Sequence, residues 1–88
     1  MWEIKHKTVS SLRLDAVLSA ALNLSRGKAC ELIASDVVFV NFKLISKSTY
    51  LISENDIISI RKKGRVILKS IGKQSAKNRT WIELECLL

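Results

Sequence analysis

A chain of 88 residues is long enough for one compact domain and too short for two. Hydrophobic residues make up 48% of the chain, with three glycines and no proline, so it can bury a core, which argues against global disorder. Fifteen lysines and arginines against eight acidic residues give a net charge of +7. This charge favours a polyanionic partner, nucleic acid ahead of an anionic membrane surface.

The cysteines and the hydropathy pattern indicate an intracellular protein. Cys30 and Cys86 lack the paired spacing of a zinc site and argue against a disulfide framework. No run approaches the roughly 20 apolar residues of a membrane span, and the charged N-terminus is unlike a signal peptide. We therefore expect a soluble protein in the cytoplasm, or in the stroma or matrix of an organelle if the source is a eukaryote.

The first predicted elements are an edge strand and a helix. In residues 2–9, apolar and polar side chains alternate from Trp2 to His6, which predicts either an edge strand or an extended lead-in. Ser10 and Ser11 can each cap a helix start, and Asn23 suits the left-handed conformation that ends a helix. The apolar face of this helix is formed by Leu14, Val17, Leu18, Ala21 and Leu22.

A second short helix follows after very few residues. Ser25 is its predicted cap, and the helix runs to about Ser35. Its apolar stripe consists of Ala29, Leu32 and Ile33. Two helices across so short a turn predict a helix-turn-helix arrangement, with Arg26 and Lys28 in the exposed opening turn of the second helix.

After Asp36 the apolar period changes from helical to alternating, which predicts a small sheet. The first strand should carry Val38, Val40 and Phe42 on one side. Residues 41–43 predict a turn into a short strand at 44–46. Residues 50–53 and 57–61 predict further short strands on either side of a turn at 54–56.

The C-terminal part predicts a long basic hairpin. Residues 65–71 and 80–88 form its strands and residues 72–79 its polar loop. Ile82, Leu84 and Cys86 share one face of the last strand, so Cys86 is a core residue. The expected fold is therefore α+β: a helix-turn-helix packed on a small, mainly antiparallel sheet with a C-terminal basic β-hairpin.

Eight basic residues and no acidic one lie between Arg61 and Arg79. Such a run is either a solvated face or a binding surface, and its length without carboxylates favours binding.

Catalytic chemistry is missing from the sequence. The only histidine, His6, lies in a charged segment, and the three isolated glycines match no nucleotide-binding pattern. Glu83 and Glu85 could form an acid pair or a metal site, but partnership with lysines or arginines of the basic hairpin is favoured. We expect no catalytic residue, cofactor, metal or small-molecule substrate.

Four spaced elements follow one pattern: Arg-Leu-Asp at 13–15, Ser-Arg-Gly-Lys-Ala at 25–29 with Leu-Ile at 32–33, Val-Phe-Val-Asn-Phe-Lys at 38–43, and Asn-Asp-Ile-Ile at 55–58. In this order they resemble the alpha-L RNA-binding motif, known as the S4 domain. Phe42 and Asn55 stand where most members have glycine. Phe42, the Lys-Gly-Arg segment at 63–65 and the final hairpin are similar to the C-terminal S4 domain of the YlmH family, and the resemblance spans residues 10–88.

The resemblance implies one S4-like domain over residues 1–88, with a core at 10–60 and a hairpin extension at 61–88. YlmH proteins are longer, so the chain is either a domain excised from a larger protein or a short stand-alone relative. The implied partner is structured RNA, ribosomal or transfer RNA on the ribosome, bound by a monomer.

The resemblance also implies an RNA-binding platform made of the two helices and the hairpin that follows them. It places Arg13, Arg26, Lys28 and Lys43 on this platform, with Lys47 on or beside that hairpin. Arg13 either contacts RNA or pairs with a carboxylate such as that of Asp15 or Glu31, and Arg26 serves partly as a cap in the alternative interpretation. Asp15 is assigned to structure. Sequence-independent phosphate contacts are expected from Arg61, Lys62, Lys63, Arg65 and Lys69.

Other interpretations stay open. Trp81 and Tyr50 either stack on an unpaired base or only pack. The helix-turn-helix could instead bind DNA as a dimer, or the chain could dock an enzyme, as S4 domains do when fused to pseudouridine synthases or tRNA synthetases. A membrane-surface role is disfavoured because the basic stretch lacks an amphipathic helix.

Overall fold

The computed structural model describes residues 2–88, with the backbone alone for residue 76. In chain order its elements are β1 (Glu3–Val9), α1 (Leu14–Leu22), α2 (Arg26–Ala34), β2 (Val38–Val40), β3 (Lys43–Leu44), β4 (Ile57–Ile60), β5 (Gly64–Gln74), a 3-10 turn (Ala76–Asn78) and β6 (Thr80–Leu87).

The six strands form one antiparallel sheet in the order β1-β6-β5-β4-β2-β3. Both helices pack on one face of it, where Leu18 of α1 and Ile33 of α2 share a buried cluster with Leu68 and Leu84 of the central strands. The predicted α+β class, with a helix-turn-helix on an antiparallel sheet and a C-terminal hairpin, is confirmed. No helix within residues 2–88 covers the other face, which we call the outer face.

The first strand is an edge strand, as predicted. It pairs with β6 along its whole length, from Glu3 opposite Cys86 to Val9 opposite Thr80. The C-terminal hairpin therefore lies inside the sheet, with β1 on one side and β4 on the other.

The start of α1 differs from the prediction. Its first N–H groups, those of Leu14 and Asp15, donate to the carbonyls of Tyr50 (2.7 Å) and Ser48 (3.2 Å). The N-cap residue, Arg13, makes no side-chain hydrogen bond that caps the helix. The predicted cap at residues 10–11 is therefore wrong, because a loop distant in sequence supplies the acceptors that a helix start requires.

The junction between the helices is as predicted. Asn23 ends α1 in the left-handed region with φ 55°, and the Ser25 hydroxyl accepts a hydrogen bond from the N–H of Lys28 at 3.1 Å. The turn is short because a left-handed residue and a serine cap redirect the chain within three residues.

Val40 pairs with Lys43, so Asn41 and Phe42 form a two-residue turn with φ values of 50° and 69°. Positive φ at both positions is typical of a type I′ hairpin turn. The Phe42 side chain is 64% exposed, so its predicted place beside the buried Val38 and Val40 is wrong. The strand ends at Val40, before Phe42 is reached.

The strand predicted at 50–53 is also wrong. This segment makes only an isolated bridge between Leu51 and Arg13, and its backbone serves the start of α1 instead. The predicted turn at 54–56 is confirmed, with Asn55 at φ 70°.

The C-terminal hairpin is confirmed, and β5 extends three residues beyond the predicted 65–71, to Gln74. Arg61, Lys62 and Lys63 lie in the turn between β4 and β5. The prediction that they belong to the C-terminal hairpin is therefore wrong. Cys86 is 2% exposed in the core, as predicted, and burial raises the pKa of its thiol.

Within residues 2–88, no helix is both long and apolar enough to cross a membrane.

Candidate nucleic-acid interface

Arg13 and Arg26 share the carboxylate of Asp15, which is 2% exposed. Arg13 donates from Nε to Oδ1 at 3.2 Å and from Nη2 to Oδ2 at 2.9 Å, while Arg26 donates from Nη2 to Oδ1 at 3.2 Å. Arg26 Nη1 also reaches the Ser10 hydroxyl at 3.4 Å. Of the alternatives for Arg13, pairing with Asp15 is observed, and the structural role predicted for Asp15 is confirmed.

Two opposing effects set the pKa of Asp15. Burial would raise it, because water stabilises a carboxylate better than the protein interior does. Hydrogen bonds and positive charge from Arg13 and Arg26 outweigh burial, so the pKa lies below its ordinary value. Two guanidinium groups on one carboxylate leave a net positive charge, and these arginine side chains are 39% and 43% exposed. They can therefore be structural and still face a polyanion.

Lys28 and Lys63, far apart in sequence, line one open cleft of about 290 Å³. Lys28 comes from the first turn of α2, and Lys63 from the β4–β5 turn. The remaining lining residues are Leu24, Glu31, Leu32 and Ser35. We call this the Lys28 cleft.

Lys43 and Lys47 are both exposed. Lys43 lies opposite Val40 in the β2–β3 pairing, and therefore points to the face of the sheet that the helices cover. Lys47 precedes Ser48, whose carbonyl accepts from the N–H of Asp15. Lys47 therefore lies near the N-terminal end of α1, where Asp15 binds the guanidinium groups of Arg13 and Arg26.

The outer face carries a different group of cations. The guanidinium carbon of Arg61 lies 5.7 Å from the centroid of the Phe39 ring, and that of Arg65 lies 5.4 Å from the centroid of the Phe42 ring. Phe39, Ser59 and Arg65 occupy one cross-strand row. An open groove of about 490 Å³, here the Phe39 groove, is lined by Phe39, Ser59, Ile60, Arg61, Lys62, Lys63, Gly64 and Arg65.

The predicted cations thus form groups on two faces of the sheet. Lys63 lines both the Lys28 cleft and the Phe39 groove, so the β4–β5 turn connects the helix side with the outer face. Lys69 lies apart from these groups, exposed at the irregularity of β5 between Leu68 and Ser70.

Two further cations, Lys7 and Arg79, were not among the individually predicted RNA contacts, although Arg79 ends the basic run that the sequence favours for binding. Arg26 lines another cleft of about 290 Å³ together with Lys7 and Arg79. Arg79 donates from Nη2 to the Thr8 carbonyl at 2.6 Å and from Nε to the Thr8 hydroxyl at 3.0 Å. No sequence signal connects these residues, because only the pairing of β1 with β6 brings them together.

The expected partner of Glu83 is wrong. Glu83 Oε1 lies 3.1 Å from Nε2 of His6 on β1, which is its register partner, and not from a cation of the hairpin. Glu85 lies opposite Ile4 and Ile67. In the described part of the chain, no three or more His, Cys, Asp or Glu residues cluster in a way that could hold a metal ion.

Comparisons with known proteins give three relatives and no matching family model. The chain is 39% identical over 83 residues to the ribosome-associated protein quality control protein P2 of Bacillus subtilis, with 94% of the chain covered. It is 33% identical over 78 residues to the small ribosomal subunit protein uS4 of Desulfotalea psychrophila, with 83% covered. It is 40% identical over 48 residues, or 54% of the chain, to an uncharacterized RNA pseudouridine synthase of Mycoplasma genitalium.

The chain spans 32%, 37% and 16% of the lengths of these three relatives, respectively. The similarity therefore describes a domain and not the whole of any relative. The ordered motifs, the helix-turn-helix on an antiparallel sheet and these similarities identify the chain as an S4, or alpha-L, domain that resembles the C-terminal S4 domain of the YlmH family.

Proposed function

We propose that this domain is a non-catalytic module that binds structured RNA, ribosomal or transfer RNA on the ribosome, mainly through phosphate contacts. Two of the similar proteins are named as ribosome-associated or ribosomal, which supports the choice of partner. The module would act as a monomer in the compartment where ribosomes work, the cytoplasm or the interior of an organelle.

The observation that carries the proposal is that most of the predicted RNA-binding cations have no carboxylate partner among the described residues. Arg13 and Arg26 share Asp15, whereas the other eight form no ion pair with a carboxylate within residues 2–88. Lysines and arginines without an internal carboxylate partner can release counterions from a phosphate backbone, which supplies affinity without reading sequence.

The alternative of a DNA-binding helix-turn-helix is less well supported. Reading base edges in a major groove requires side chains directed freely from the start of the recognition helix. Arg26, in that position on α2, is held by Asp15 of α1. Folded RNA, by contrast, is recognised by shape and phosphate spacing, which suits cations spread over two faces.

The proposal is tested by fluorescence anisotropy of the 88-residue chain with a structured RNA hairpin and a DNA duplex of matched length, across salt concentrations. Contacts to about four to six phosphates should give a log-log salt slope of about −3 to −5 for the RNA. Equal or tighter binding to the duplex DNA would favour the alternative, and binding to neither would favour a protein-docking role.

Paired charge reversals locate the interface. Lys28→Glu with Lys63→Glu should abolish most binding, because both cations line the Lys28 cleft. Lys73→Glu with Lys77→Glu changes the net charge equally at exposed positions outside the predicted site, and should cost far less affinity. Equal losses in the two double variants would show that only total charge matters.

A further inference from the structure

We propose that the outer face carries a second RNA subsite, which binds one unpaired nucleotide by stacking its base on the Phe42 ring and the Arg65 guanidinium. The subsite rests on the proposed function, since it presumes that RNA is the partner. It is separate from the arginine pair at Asp15, which belongs to the helix side of the domain.

The position of Phe42 is the first observation. Its φ of 69° is a conformation that a side chain disfavours and for which glycine is the ordinary residue of a type I′ turn. The side chain gains little from burial in return, since 64% of it is exposed. A strained backbone that displays an aromatic ring to solvent points to a functional use of the ring.

The arginines are the second observation. Arg65 lies over Phe42 and Arg61 over Phe39, so flat guanidinium and aromatic groups adjoin one another on the outer face. Neither arginine forms an ion pair with a carboxylate in the described part of the chain. Guanidinium planes and aromatic rings are the surfaces on which proteins stack unpaired bases of RNA.

The Phe39 groove supplies the space and the charge. Its volume of about 490 Å³ is within the range of small-ligand sites, and the exposed Lys62 and Lys63 on its rim can hold a phosphate. Ser59 also lines the groove, and its hydroxyl oxygen is buried beneath the groove surface.

The position of Lys63 indicates which RNA would use both faces. Lys63 lines the Lys28 cleft as well as the Phe39 groove. If the helix side binds a base-paired RNA stem, the single-stranded segment next to that stem would extend past Lys63 to the outer face. The expected ligand is a stem with an adjoining single-stranded segment.

The test compares a blunt RNA hairpin with the same hairpin carrying a short single-stranded adenosine tail. The wild-type chain should bind the tailed RNA at least about five-fold more tightly, the smallest gain expected from one stacked base. A 2-aminopurine in the tail should lose fluorescence on binding, because stacking quenches it. Equal affinity for tailed and blunt RNA would overturn the subsite alone, whereas binding to neither would overturn the proposed function itself.

Three variants assign the stacking surface. Phe42→Gly suits the backbone of the turn and should remove the tail preference while changing blunt-hairpin affinity less than about two-fold. Arg65→Lys keeps the charge, loses the planar group and should also weaken the preference. The control Trp81→Ala removes another aromatic of the outer face, 48% exposed on β6, and should leave the preference intact. A preference that survives Phe42→Gly, or that Trp81→Ala abolishes, would overturn the proposal.

Discussion

Arg26 Nη2 lies 3.2 Å from Asp15 Oδ1, an ion pair that ties the first turn of α2 to the first turn of α1. The carboxylate is buried, while the guanidinium is less than half exposed to solvent. The pair can thus hold the two helices in place and still present positive charge outward.

Replacing Asp15 should destabilise the fold. Asp15→Asn leaves two partly buried arginines without their counter-charge, and we expect a loss of about 1 to 3 kcal/mol in the free energy of unfolding, measured by urea denaturation. Asp36→Asn is the matched control, because it removes the same charge from an exposed side chain. Similar unfolding midpoints for the two variants would contradict the structural role of Asp15.

The contribution of Asp15 should depend on pH. A carboxyl whose pKa is lowered by folding stabilises the protein above its ordinary pKa and loses that contribution as the pH falls through the lowered value. The difference in free energy of unfolding between the wild type and Asp15→Asn should be constant near neutral pH and shrink below about pH 4. Urea titrations across this range measure it, and a difference that grows on acidification would be inconsistent with the lowered pKa.

Lys63 and Arg26 should respond differently to loss of charge. Lys63→Gln should reduce the magnitude of the salt slope of RNA binding by about 0.7 to 0.9 and leave stability unchanged, because Lys63 has no carboxylate partner among the described residues. Arg26→Gln should also lower the free energy of unfolding by about 1 kcal/mol, since it removes a hydrogen bond to Asp15. Anisotropy and urea denaturation on both variants separate the two roles.

Phe42→Gly should stabilise the domain. Glycine adopts the φ of 69° without strain and forms an Asn-Gly turn, which is the preferred sequence of a type I′ turn. This gain should outweigh two losses: the Arg65 contact with the ring, and the greater conformational freedom of the unfolded chain. We expect a gain of about 0.5 to 1 kcal/mol, measured as a higher urea midpoint. A clear loss of stability would mean that the ring has a structural role in the fold.

Gly64 should be intolerant of a side chain. A Cβ at this position would lie 2.0 Å from the backbone oxygen of Leu87, and its φ of 138° is unfavourable for other residues. Gly64→Ala should therefore cost more than about 2 kcal/mol by forcing β5 and β6 apart. Gly27→Ala is the control, because Gly27 lies in α2 where an added Cβ would make an ordinary contact of 3.9 Å with the Ser25 hydroxyl oxygen, and it should gain about 0.5 to 1 kcal/mol. Comparable effects in the two variants would contradict the close approach at Leu87.

Local features of the fold could be predicted from the sequence. The α2 cap at Ser25, the left-handed Asn23 and the buried row that ends at Cys86 depend on neighbours within a few residues, so spacing alone reveals them. The ordered S4 motifs likewise indicated the arrangement of helices and sheet. The prediction for Phe42 was wrong because the alternation of apolar and polar residues in the sequence continues through the turn at which the strand ends.

The tertiary structure decided which distant residues meet. The acceptors at the start of α1 come from Ser48 and Tyr50, and the partner of Glu83 is His6, because strand order and loop path place them there. Lys63 reaches both the Lys28 cleft and the Phe39 groove for the same reason. Composition and motif thus determined the net charge and the domain type and favoured a polyanionic partner, whereas the division of the cations between two faces required the register of the sheet.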